Sequence, residues 1–172
     1  MFLELIATLF AGVAAAGVVL LLNKVLKGRL PKWFMPVAAG AAMLVATISS
    51  EYGWYPRTKN TLPEGMEIVQ SVDSKALYRP WTYLRPFTER FVAVDTVSIN
   101  THDAQPDMRL ADVYFFGRWS PVNKLAVLTD CANGRRAALI DAVTFHDDGT
   151  VTGADWVEPE SGDPILTSIC GG

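Results

Sequence analysis

Cysteine is scarce in this chain, two in 172 residues, and neither stands among histidines at the spacing of a zinc site. The two histidines, His102 and His146, sit singly beside acids, and the "DDGT" that follows His146 lacks the alternating oxygen ligands and closing Glu of a calcium loop. No metal and no cofactor are therefore expected. There is no glycine-rich nucleotide loop, no serine nucleophile elbow and no carboxylate pair whose spacing assigns an acid and a base, so the expectation is a non-enzymatic protein. Positive charge is missing where nucleic acid would need it: residues 51–172 hold 17 acids against 11 bases, a balance of −6. Binding to phosphates needs a basic stripe that displaces counterions, so nucleic acid is excluded as a partner. A positive segment before the first apolar run is also lacking, and Glu4 holds that place, which argues against a cleaved signal peptide.

Apolar sequence is plentiful at the start. Phe2 to Leu22 carries one charge, and 21 residues at about 1.5 Å each cross a hydrocarbon core of about 30 Å. Trp33 to Ser50 is a second, uncharged run, opened by Pro31 and Pro36 and closed by the aromatic cluster "EYGWY". Between them "NKVLKGRLPK" (23–32) holds four bases. Lysine and arginine are retained on the cytoplasmic side, so the loop is expected inside and both chain ends outside: a two-pass protein of a bacterial inner membrane with the lipid bilayer as its first partner. Small residues four apart (Ala11/Ala15, Gly12/Ala16, Ala38/Ala42, Ala42/Ala46) suit either packing of the hairpin on itself or docking on another membrane protein.

The rest reads as an interface linker (51–63) and a periplasmic, mainly antiparallel β domain (64–172). Period-two runs at Phe91–Ile99, Leu110–Trp119, Val122–Asp130, Arg135–Phe145 and Val151–Val157 predict strands. Asn133-Gly134 predicts a two-residue type I′ turn, and Asp148-Gly149 another. His102–Asp107 and Glu158–Pro164 read as loops, and no helix of ordinary length is expected, at most a turn or two around Ser74 to Tyr83. Residues 64–90 contain the near repeat "RPWT" and "RPFT", whose prolines push Arg79 and Arg85 toward extended backbone. Arg79, Trp81, Tyr83, Arg85 and Phe87 either form a surface for a protein partner, being residue types that dominate interface hot spots, or bury their rings under the domain or in lipid headgroups.

Cys131 and Cys170 both fall in the outer domain. An even pair in an oxidising compartment reads first as a disulfide, and closing a loop of about 40 residues stabilises by roughly 3–4 kcal/mol. A nucleophilic Cys131 with His146 as base lacks a third, orienting residue. Arg135 and Arg136 follow the turn, where guanidinium and backbone donors would hold a carboxylate or phosphate of a small ligand of unknown identity; the competing assignment pairs one with Asp130 and leaves the other in solvent.

Asp130, Cys131, Arg136, Trp156, Pro159, Ser161 and Cys170, in "TDCANGRRAALIDAVTF…ADWVEPESGDPILTSIC", resemble the pattern of the surface-adhesin protein E family over residues 122–170. The resemblance implies an antiparallel sheet closed by a Cys131–Cys170 disulfide. It does not carry the family's adhesive role, because a chain held by two membrane helices is expected to stay in the inner membrane. The functional expectation is an accessory or scaffold subunit of a membrane or envelope complex. The alternative is a periplasmic ligand-binding or sensing module for an anionic small molecule or envelope polymer.

Overall fold

A computed structural model describes residues 2–139, 143–146, 149–160 and 162–171. The chain divides into two compact units, 1–57 and 58–172. In the first, α1 (Phe2–Val25) and α2 (Phe34–Asn60) are both long and apolar enough to cross a membrane. Between them Lys27 and Gly28 adopt positive φ (55° and 80°), and Asn23 Oδ1 accepts from the Leu30 N–H at 3.0 Å, closing the turn. Gly12 faces Met43: a Cβ there would lie 2.9 Å from Met43 Cγ, so the missing side chain lets the helices approach. At that position the small residues pack the hairpin on itself. Glu4 adds polar contacts across the pair, accepting from Ser50 Oγ at 2.8 Å and facing Arg57 at 4.0 Å. α2 does not stop at Ser50. It continues through Pro56 to Asn60, so most of the segment expected as a linker is helical. Proline forfeits a single N–H bond there, and Arg57 reaches back to donate to the Ser50 carbonyl at 3.3 Å.

The second unit holds, in chain order, β1 (Met66–Ser74), α3 (Trp81–Leu84), β2 (Phe87–His102), β3 (Gln105–Gly117), β4 (Asn123–Asp130), β5 (Arg135–Ala138), β6 (Thr144–Phe145), β7 (Val151–Thr152), β8 (Trp156–Val157) and α4 (Pro164–Cys170). Six strands form an antiparallel sheet in the order β1-β2-β3-β4-β5-β8, and β6 pairs β7 separately. Register sets the core. Val94 lies opposite Val113, which lies opposite Leu125, while Ala111 lies opposite Val127. These residues share one face, and α4 lays Ile165 and Ile169 onto it to close a buried cluster. Elsewhere in the sheet Phe91 stacks on its cross-strand partner Phe116, with centroids 4.6 Å apart.

Several expectations need correction. Residues 66–74 are a strand, masked in sequence because bulges between Ile68 and Gln70 and between Val72 and Asp73 break the alternation. The loop expected at His102–Asp107 is a tight β2–β3 hairpin, with His102 opposite Gln105. The run Arg135–Phe145 divides into β5 and β6, with 140–142 outside the described residues, and Val151–Val157 divides at Gly153, whose φ of 78° breaks extended structure. "PILTSIC" is helical: Asp163 caps it, its carboxylate accepting from the Ile165 and Leu166 N–H groups at 3.1 and 2.9 Å, with Pro164 in the first turn.

Gly65 fixes where β1 begins. Its φ is 91°, its carbonyl accepts from Thr96 N–H (2.9 Å) and Oγ1 (2.7 Å), and a Cβ there would run into Val97 Cγ2. Gly65→Ala should therefore lower domain stability by about 1–3 kcal/mol, through left-handed backbone strain and the clash together. Chemical denaturation of the full chain in mild detergent checks this, and an unchanged midpoint refutes it.

Candidate interaction surfaces

Cys131 and Cys170 are joined in a disulfide, with Cα atoms 5.6 Å apart. The bond explains the turn that precedes β5. Asp130 pairs with Arg135, so the hairpin loop contains four residues, Cys131 to Gly134, instead of the expected two-residue Asn133-Gly134 turn. Only Gly134 takes positive φ (64°). Cys131 leaves the β4–β5 ladder, and its N–H bonds the Asp107 carbonyl at 2.9 Å. The second expected turn keeps Gly149 at φ 78°, while its Asp148 lies outside the described residues.

Asp130 holds this loop together. Its buried carboxylate accepts from the Asn133 N–H (3.1 Å), Asn133 Nδ2 (2.8 Å) and Arg135 Nε (2.9 Å), and Arg135 adds an ion-pair contact at 2.8 Å. Burial pushes the carboxyl upward, but the hydrogen bonds from Asn133 and Arg135 and the arginine charge outweigh it and hold it below its ordinary 3.8. Arg135 also lies over the Trp156 ring at 4.6 Å. Arg136 turns to Asp163, at 3.1 Å, and so ties β5 to the cap of α4. Both arginines of the turn are thus engaged by carboxylates and act as braces between elements.

A lowered carboxyl pKa stabilises above the unfolded value, and that contribution is lost as pH falls through the lower folded value. At pH 7, Asp130→Asn should cost about 1.5–3 kcal/mol, the range for charge-assisted hydrogen bonds. The gap to the natural chain should narrow as pH is taken below about 4. Denaturation midpoints at pH 7, 5, 4 and 3 test the sign, and a gap that widens in acid refutes it.

The RPWT–RPFT stretch places its five singled-out residues unequally. Thr82 is the pin. Its hydroxyl donates to the Arg79 carbonyl (2.7 Å) and accepts from the Ala76 N–H (3.0 Å), while Ala76 bridges Arg79. Pro80 starts α3, and Pro86 ends it by holding Arg85 extended at φ −138°, ψ 98°. Phe87 is buried, and Arg79 lies over its ring at 5.5 Å and over Tyr78 at 5.0 Å. Trp81 is half-buried, with Nε1 lacking a hydrogen-bond partner. Tyr83 and Arg85 are exposed. Sequence reasoning missed Leu77 and Leu84, which stand 87% and 92% exposed, and Tyr78, also exposed. It also missed the neighbouring β3–β4 connection, where Arg118 covers Trp119 at 4.8 Å and donates its N–H to the Glu89 carbonyl at 3.0 Å.

Two hollows accompany these surfaces. One of about 800 Å³ lies where α4 meets β1 and β2, with Glu67, Thr96, Ile99, Arg109, Thr167 and Ser168 among its lining residues. Arg109 donates to the Ile169 carbonyl at 2.8 Å, and Ser168 donates to Glu67 at 3.0 Å. The other, about 200 Å³, brings His102 and His146 together beside Met108, Leu110, Leu128 and Phe145. His146 Nε2 pairs with Thr152 Oγ1 at 3.1 Å, and His102 Nδ1 accepts from the Ala104 N–H at 3.3 Å. Among the described residues no group of three or more His, Cys, Asp or Glu is arranged to hold a metal ion. Comparison of the chain with protein-family models, with curated proteins and with solved structures yields no match.

Proposed function

We propose that the chain is a non-enzymatic accessory or scaffold subunit of an envelope complex, held in a bacterial inner membrane by α1 and α2 and presenting the β domain to the periplasm. The observation that carries this reading is the Cys131–Cys170 disulfide in a domain that follows two apolar helices whose connection is basic. Disulfides persist in oxidising compartments, and a basic connection stays in the cytoplasm, so one topology satisfies both. The sheet is a rigid platform, stapled at one end by the disulfide and braced by Arg135 and Arg136. From the resemblance to surface-adhesin protein E, the proposal takes only the sheet-and-disulfide arrangement.

Reporter fusions should place Gly172 outside and Gly28 inside, and an inside C-terminus sinks the proposal. Native sizing after gentle solubilisation should give a discrete assembly larger than the chain with its detergent; a monomer in several mild detergents counts against a subunit role. The ligand-binding reading moves from the Arg135–Arg136 turn to the hollow beside α4, which offers Arg109, two threonines and a serine. A thermal shift with an anionic ligand that survives Ser168→Trp would exclude that hollow.

A further inference from the structure

The antiparallel order brings two connections to one end of the sheet: residues 75–86 between β1 and β2, and residues 118–122 between β3 and β4. The Arg118–Glu89 backbone bond and the Arg90–Gly117 pairing hold them side by side. These 17 positions contain Lys75, Arg79, Arg85 and Arg118 and no acid, in a region of the chain where acids outnumber bases 17 to 11. They also expose Leu77, Tyr78, Tyr83, Leu84 and Trp119.

We propose that this end of the sheet docks on an anionic lipid headgroup layer. Its composition matches that layer: tyrosine and tryptophan for the headgroup level, leucine for the acyl boundary below it, and bases for the lipid phosphates. Charge favours a lipid occupant: four bases and no acid over 17 positions complement a surface of one sign, and Leu77 and Leu84, 87% and 92% exposed, project far enough from the domain to enter the acyl boundary. Thr82 and the two prolines hold that projection rigid, which lowers the ordering cost of insertion. The inference rests on reading α1 and α2 as membrane spans, which puts a bilayer within reach of the domain.

The test uses the full chain in nanodiscs of phosphatidylcholine alone or with one quarter phosphatidylglycerol, read by hydrogen exchange, together with flotation of those nanodiscs on phosphatidylglycerol vesicles. Docking on the host bilayer slows exchange in 75–86 and 118–122 about tenfold in the anionic discs only, and docking on a second bilayer appears as co-flotation. Either result supports the proposal. Each base near an anionic surface is worth about fivefold in partitioning. Lys75→Glu should therefore lower the partitioning at least about fivefold, and with it most of the exchange slowing, while leaving the thermal midpoint in place. Leu84→Ser, at a side chain the fold does not use, should weaken it without a charge change. Equal exchange in both lipids with no flotation overturns the proposal, as does protection that appears only when a protein is bound. Alkaline carbonate extraction tests the anchor separately: a chain that washes out of neutral vesicles refutes the membrane reading, and one that stays in without lipid-dependent protection refutes docking alone.

Discussion

Replacing both Cys131 and Cys170 by serine should lower the unfolding free energy of the β domain by about 3–4 kcal/mol, the chain-entropy value for a loop of this length. The two cysteines are 39 positions apart, and the loop they close contains β5 to β8 and α4. Among the described residues, β6, β7 and β8 are the most weakly paired strands of the domain. β8 meets β5 through two residue pairs and β6 meets β7 through two, so little local hydrogen bonding opposes their separation. A domain of this size has roughly 5–15 kcal/mol in total, so the loss is a large share. Urea denaturation of the full chain in mild detergent, followed by the β-sheet circular dichroism signal, measures it, and reduction of the natural chain should reproduce it. A loss below about 1 kcal/mol would mean that α4 and the Arg136–Asp163 pair hold the loop unaided.

Legibility in the sequence varied along the chain for physical reasons. β2, β3 and β4 announce themselves through β-branched and aromatic runs; burial alternates in β3, with Ala111 and Val113 inside, whereas Ala93 and Val94 in β2 and Val127 to Asp130 in β4 are buried consecutively because both faces are covered there. β1 is an edge strand with two bulges, so its alternation slips twice within nine residues. α4 was hidden by composition: isoleucine, threonine and cysteine favour strands, and its helical state depends on Asp163 and Pro164 at its start and on the core it covers. The Asp-Pro pair was a readable start signal that the β-branched run obscured. The Asn133-Gly134 turn was misread because the motif predicts only local geometry. Asp130 and the disulfide impose a four-residue loop on it from outside. At RPWT–RPFT, sequence identified the residue types. The division of burial within the repeat, Thr82 and Phe87 inside with Tyr83 and Arg85 outside, depends on which copy opens a helix and which opens a strand.

Ile169→Ala is the second large expected effect, about 3–4 kcal/mol, because the side chain is fully buried against Val94, Val113 and Val127 and its truncation leaves a cavity that a seven-residue helix cannot collapse into. Combining it with the cysteine replacements separates two accounts of the disulfide. If the bond acts only by restricting the unfolded chain, the two losses add to within about 0.5 kcal/mol. If it also holds α4 on the sheet, Ile169 is already partly disengaged without it, and the combined loss falls short of the sum by at least about 1 kcal/mol. The second outcome is expected. α4 has two turns at most, too few to persist alone, and beyond its two buried isoleucines its attachments are the Asp163 cap with its Arg136 pair, the Ser168 bond to Glu67, the Arg109 bond to the Ile169 carbonyl, and Cys170. Where the combined variant leaves no folded baseline, Ile169→Val makes the same comparison at about 1 kcal/mol. Strict additivity in that series would put the whole effect of the disulfide in the unfolded chain and leave α4 docked by Ile165, Ile169 and its polar contacts with Glu67, Arg109 and Arg136.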